Sequence, residues 1–482
     1  MKRPILLTTA LIASGLLLAG CTATSASVAS NASEATEPTL QAADALDSDL
    51  SPTAVMAENA DYTVVNEDEW SESDAVDVTL TGSGAQAAAG VSSDGSTVTI
   101  SEAGVYRLSG ALQGQVVVAA PDDALVVLIL DGADISNAAG AAIEVRTADD
   151  VAIHLADGSR NTVSDAASYA EEAEANAAIW ADTDLTISGT GSLAVTGNGN
   201  DGIVSKDDLV ILGGALTVVA ADDALRGKDA LAVEGGTLEL TATGGDGLKS
   251  DGDDGKELGE EIDWTRGYIY VSGGSIGIEA GDDGLQAFTD TVIAGGTVTA
   301  EVVDDGVKAE VVVSIGEIAD TPAPSVTVTA STEGVEAANI GIGGGTIDVT
   351  ASDDGINASG NAELQARIAG TEFTGVADRE ADTGERLEIS GGTVTVRAGF
   401  DGLDSNGSIA ISGGSVTITS AANGGDGPLD ANGAVSVAEG TVVANGAAWD
   451  ESMATGMGPG GGMPGGGGGM PGGQGGGQPP QR

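Results

Sequence analysis

Cysteine is nearly absent from this chain: Cys21 is the only one in 482 residues, so no disulfide can form within it. Histidine is as rare, with His154 alone, and a single Cys and a single His cannot build a zinc site. Aromatic residues number 4 Trp, 5 Tyr and 3 Phe. That scarcity, beside abundant Gly, Thr and Val, argues against a helical bundle. Positive charge is also short, with 17 Lys and Arg against 74 Asp and Glu and a net charge of −57. Such a polyanion is repelled by nucleic acid and by anionic headgroups, which excludes nucleic-acid binding. It leaves cations, basic surfaces, or acidic polymers reached through bridging metal ions. Yet 41% of the residues are hydrophobic, too many for a wholly disordered chain.

The first residues read as a targeting segment. Lys2 and Arg3 precede an apolar stretch from Ile5 to Leu18 that is short for a membrane span. Leu18-Ala19-Gly20-Cys21 then resembles the lipobox of bacterial lipoproteins, which implies removal of residues 1–20 and acylation of Cys21. Two or three acyl chains would hold the protein on the outer face of the cell membrane. Residues 21–74 lack hydrophobic periodicity and read as a lipidated Cys followed by flexible linker. Residues 451–482, almost wholly Gly, Pro, Met and Gln from Gly456 onward, read as a disordered tail.

The body, residues 75–450, repeats. A Gly-Gly pair followed by Thr, Ser or Ala and alternating apolar residues recurs at Gly213, Gly235, Gly273, Gly295, Gly344, Gly391 and Gly413, at intervals of 22, 38, 22, 49, 47 and 22. The long intervals are a repeat plus an insertion, or two repeats. Runs such as Thr393-Val394-Thr395-Val396 alternate with period two, so they are strands with one face buried. Twenty-two residues hold three short strands and three turns, about one coil of a parallel β-helix. They are too few for a propeller blade, and they lack a leucine-rich pattern. The fold class is therefore all-β, a single-stranded solenoid. Residues 76–197 carry the same texture and read as its opening coils, with a short helix or side loop over 166–178.

An acidic turn follows each Gly-Gly strand. Its anchoring residues are Asp201, Asp223, Asp246, Asp283, Asp305, Asp354, Asp401 and Asp426, often behind a second Asp at Asp222, Asp282, Asp304 or Asp353, with Asp404 alongside. Glu333 is a degenerate copy, and Ala224 stands where other copies have Gly. Coils stacked about 4.8 Å apart would align these carboxylates in a column along the outside. Like charges at that distance repel by about 3 to 4 kcal/mol at an effective dielectric of 20. Raised pKa values or intervening cations relieve that cost, and all-oxygen sites suit Ca2+. An outward polar slot beside the turns holds Arg226, Lys249, Gln286, Lys308, Asn357 and Asp404, with Lys206 and Lys228 nearby. These bases either compensate charge or, beside calcium, contact a sugar polymer. Trp264, after the acidic insertion 251–263, is the best aromatic candidate for sugar contact, and Tyr268 and Tyr270 share a face as core or capping residues.

Three stretches carry a resemblance: Asn200-Asp201-Gly202-Ile203 through Leu209, Gly244-Gly245-Asp246-Gly247-Leu248-Lys249, and Asp401-Gly402-Leu403-Asp404-Ser405-Asn406-Gly407. They look like a bacterial family of surface carbohydrate-binding β-helix domains, and the likeness spans about residues 76–445. The resemblance implies a right-handed parallel β-helix, bound calcium, affinity for plant-type polysaccharides, and no established enzymatic role. The expectation is thus a lipid-anchored, non-catalytic binder of acidic, polyuronate-type polysaccharide through calcium. The alternatives are a calcium-dependent lyase using Lys206, Lys228, Lys249 or Lys308 as base, and a passive surface spacer or adhesin.

Overall fold

The computed structural model describes residues 49–170, 173–319, 321–375, 381–421 and 426–455. The targeting segment, Cys21 and the Gly/Pro/Met tail lie outside these residues. The protein is all-β, with nearly every strand parallel to its neighbours in two long sheets, one of 26 strands and one of 15. Among the described strands, Val91–Asp94 with Thr97–Ile100 and Val442–Ala444 with Ala447–Ala448 pair antiparallel, and single antiparallel bridges join Leu80 to Ala85 and Ala88 to Val91. In the regular part each repeat gives two strands to the larger sheet and one to the smaller. Ala230–Val233, Thr237–Ala242 and Leu248–Ser250 are one such set. Partners such as Ala215 with Thr237, or Leu285 with Val307, stand 22 residues apart.

The local chemistry accounts for this. Thr237–Ala242 buries Leu238, Leu240 and Ala242 and turns Thr237 and Glu239 outward, while in Leu248–Ser250 only Lys249 faces out. The inward Val, Ile, Leu and Ala of both sheets merge into one core, which is how so much aliphatic side chain is buried with so few rings. The second Gly of each Gly-Gly pair, for example Gly236 at φ 91°, turns the chain in the left-handed region. The Gly after the anchoring Asp, as at Gly306 and Gly355, has no such φ. It is required by contact: a Cβ on Gly306 would lie 2.6 Å from the carbonyl oxygen of Gly334, and one on Gly355 equally close to that of Gly402.

The irregular intervals now have causes. The interval of 49 holds two repeats, since Thr297 pairs with Ser325 and Ser325 with Thr346. The intervals of 38 and 47 each hold a repeat plus an insertion, residues 251–266 and 359–385. The second contains a helix, α2 (Asn361–Ile368). Residues 166–170 and 173–176 form no helix among the described residues.

Residues 49–74 are not linker. They pack across the larger sheet as a strap, opening with helix α1 (Pro52–Met56) and burying Leu50, Val55 and Val65. The strap runs against the order of the repeats. The Leu50 carbonyl accepts from Ser314 Oγ, the Ala60 carbonyl from Tyr268 OH, Asp208 Oδ2 accepts from the Thr63 N–H, and Thr186 Oγ1 from the Val65 N–H. Trp70 then meets His154 edge-on, and Glu72 pairs with Arg107. The strap satisfies polar groups one at a time, so it needs no hydrophobic period.

Candidate functional site

The anchoring aspartates do line up, but inside the turns. Asp201 and Asp246 are fully buried, and Asp223, Asp283 and Asp305 nearly so. In all but Asp305, Oδ1 accepts from the backbone N–H of its counterpart on the next repeat: Asp223 on Asp201 at 3.2 Å, Asp246 on Asp223 and Asp283 on Asp246 at 2.9 Å, and Asp305 on Asp283 at 2.7 Å. The file resumes with the Asp401 N–H on Asp354 Oδ1 at 2.8 Å and the Gly427 N–H on Asp401 Oδ1 at 2.5 Å. The expected outer column is therefore an inner one, because a buried turn N–H must have an acceptor and the neighbouring carboxylate supplies it. At the last step the donor is Gly427, one residue beyond the Asp426 that the repeat suggested. Of the preceding aspartates, Asp282 is exposed and Asp222 and Asp353 are half-buried.

Beside this file runs the slot. Register places Arg226, Lys249, Gln286, Lys308, Glu336, Asn357, Asp404 and Asp430 on adjacent strands in that order. The slot changes character along its course. In the early part its bases serve the file: Lys249 Nζ lies 2.7 Å from Asp246 Oδ2, Lys308 Nζ 2.6 Å from Asp305 Oδ2 and 3.0 Å from Glu336, and Arg226 pairs with Asp251 and faces Asp201 and Asp223. Burial pulls the Lys249 and Lys308 pKa values down, but the facing carboxylates outweigh it and hold both above the ordinary lysine range. The protein's own cations thus stand among Asp201, Asp223, Asp246 and Asp305.

Beyond Glu336 the described slot positions hold Asn357, Asp404 and Asp430 and no base. Asp401, Asp404 and Asp430 bring carboxylate oxygens within 4.8 Å of one another. Burial first, then Asp354, Asp430 and Asp401, push Asp404 up to about 7. Asp401 also rises to about 7, through burial and its acidic neighbours, despite the Gly427 N–H. Asn357, beside Asp404 in register, is buried, and its Oδ1 has no hydrogen-bond partner. Three hard anionic ligands and an orphaned amide oxygen fit a hard divalent cation. Asp282, Asp283 and Asp304 make a second close group of three, with Asp283 pushed up to about 8, chiefly by burial.

The residues expected to touch sugar separate. Arg226, Lys249 and Lys308 share the slot. Lys228 binds Asp229 in the following turn, and Lys206 is exposed in the corresponding turn of the previous repeat. Trp264 is half-buried, stacked on Phe288 at 5.2 Å between ring centroids and packed on the cluster around Leu364. Tyr268 is a core residue. What the sequence did not disclose is a cleft of about 660 Å3 between the two insertions, with Lys308 at its base and Leu258, Arg367 and Phe373 on its walls. Insertions break the repeat, so periodicity carries no information about what they enclose.

A family model described as "Carbohydrate-binding domain-containing protein" matches residues 94–374. A protein of the same description from Acetivibrio thermocellus is 40% identical over 128 residues, 26% of this chain and 45% of the relative, so the match spans under half of that relative's length. A solved structure of a polysaccharide lyase-like protein from C. thermocellum, a gadolinium derivative, is 30% identical and aligns with a TM-score of 0.43. The alignment covers 54% of this chain and 96% of that one.

Proposed function

Since the chain belongs to the family of carbohydrate-binding domain-containing proteins, we propose that it is a non-catalytic polysaccharide binder on a right-handed parallel β-helix of about 22 residues per coil. Calcium at Asp401, Asp404 and Asp430, with Asn357, links it to an acidic, polyuronate-type glycan. The observation that carries this reading is the close group of Asp401, Asp404 and Asp430 beside the unpartnered Asn357 amide oxygen. There, bound calcium would neutralise the cluster and leave coordination positions for a uronate carboxylate. The protein groups hold the ion, and the early slot, already neutralised by Lys249 and Lys308, offers it little.

Calorimetric titration of calcium into the protein and into a D404N/D430N variant tests the site, and retention of the protein on polygalacturonate with and without chelator tests the link. Calcium binding should fall at least about tenfold in the variant. Retention that persists in chelator overturns the reading. The lyase alternative needs a neutral lysine beside the cation, but Lys228, Lys249 and Lys308 are each held protonated by a carboxylate partner, and Lys206 lies exposed in a turn outside the slot. Incubation with pectate should therefore release no unsaturated product. Anchoring through Cys21 at the outer membrane face is read from the lipobox, and Cys21→Ser should move the protein from the membrane fraction to the medium.

A further inference from the structure

We infer that the cleft between the two insertions is a second, calcium-independent subsite, for a short stretch of glycan bearing protonated amines. The inference rests on the reading of the chain as a glycan binder but not on the cation site.

The cleft is a built feature. Its walls arise at the slot strands Leu248–Ser250 and Ile356–Ala358, with Gln286, Lys308 and Glu336 on the strands between. Arg367 of α2 ties the walls together. Its NH1 meets Asp254 Oδ1 at 2.8 Å, its NH2 donates to the Asp254 carbonyl at 2.6 Å, and its guanidinium lies 4.7 Å over the Phe288 ring. A volume of about 660 Å3 suits a small ligand rather than a chain lying lengthwise.

Charge selects the ligand. Every base lining the cleft is engaged within the protein: Lys256 by Asp253, Lys308 by Asp305 and Glu336, and Arg367 by Asp254. Glu257, Glu310, Glu363 and Glu372 also line it, are exposed, and have no ion pair among the described residues. They come from both walls and the base. A uronate would add its charge to theirs, and a neutral sugar would gain only ordinary hydrogen bonds. An ammonium group would gain charge-assisted ones and keep the electrostatic match. Leu258 and Phe373 complete the site, 59% and 40% exposed on opposite insertions. Two large apolar side chains left open in one recess suit the C–H face of a pyranose, and the Phe373 ring also attracts an ammonium. Basic peptides share that charge but lack a rigid ring to lie against these side chains.

Calorimetry in chelator, at a pH where sugar amines are protonated, would compare a β-linked glucosamine tetramer with its N-acetylated form, a galacturonate tetramer and a lysine tetrapeptide. The glucosamine tetramer should bind at least about tenfold more tightly than the other three, and E310Q/E363Q should remove about that factor. F373A should weaken it too, while calcium-dependent retention on polygalacturonate stays unchanged in both variants. Equal binding of free and acetylated tetramers overturns the charge argument. A peptide that binds as tightly shows mere ion exchange and overturns it too, and no binding by any probe overturns the cleft as a site. Polygalacturonate retention is read separately, so failure here leaves the cation site standing, and the reverse.

Discussion

At the scale of single residues, one oxygen decides what each anchoring aspartate does. Asp401 Oδ1 accepts the buried Gly427 N–H, while burial and its neighbours hold its carboxyl near 7. Asp401→Ala should therefore destabilise the protein by about 1–3 kcal/mol by orphaning that donor. Asp401→Asn keeps an acceptor and discards an unfavourable charge, so in chelator it should unfold within a few degrees of wild type. Thermal melts of the pair separate the two roles, and equal losses would refute the acceptor argument. The spacing of the Asp-Asp-Gly turns was enough to predict alignment, and the i,i+3 placement of Lys249 after Asp246 and of Lys308 after Asp305 was visible too. Burial was not visible, because alternation assigns faces only within strands, and all these carboxylates but Asp201, which opens a strand, sit in turns. Gly355 is a second single-residue case. The Cβ of Gly355→Ala would press on the Gly402 carbonyl of the next repeat, and the variant should lose several degrees in melting temperature although its φ is ordinary.

At the scale of elements, the strands were legible and their attachments were not. Period two and the Gly-Gly corners marked strands such as Thr393–Arg397 and Ser415–Thr419, which pair as their spacing requires. The strap and the insertions carry no period, since their contacts are scattered polar bonds and small clusters. Val65 makes the strap's role measurable. It is buried against Val127, Ile129 and Ala152, and its N–H binds Thr186. Val65→Asp places a carboxylate in that apolar seat and should cost about 2–4 kcal/mol. Hydrogen exchange should then quicken along residues 60–72 before it does in the repeats. Uniform quickening would mean that strap and sheets open as one unit.

At the scale of the whole molecule, the buried carboxylates set how stability follows pH. Burial is the largest cause in each case, and it raises Asp201, Asp401 and Asp404 to about 7 and Asp283 to about 8, from an ordinary 3.8. Between those limits the folded chain binds more protons than the unfolded one, so stability falls as pH rises from about 4 to about 8. The net charge of −57 acts in the same direction. Calcium-free protein should accordingly melt higher at pH 5 than at pH 8, and calcium should restore most of the difference at pH 8. Scanning calorimetry in chelator checks this, and a midpoint that climbs with pH refutes it. The strap has a mechanical corollary. It is fastened in turn at Ser314, Tyr268, Asp208 and Thr186, and only then enters the first strand. Tension applied at Asp49 must release these fastenings one after another, like the teeth of a zip, before any force reaches the sheet hydrogen bonds. A protein tethered by that end would pay out slack under load while its repeats stayed folded.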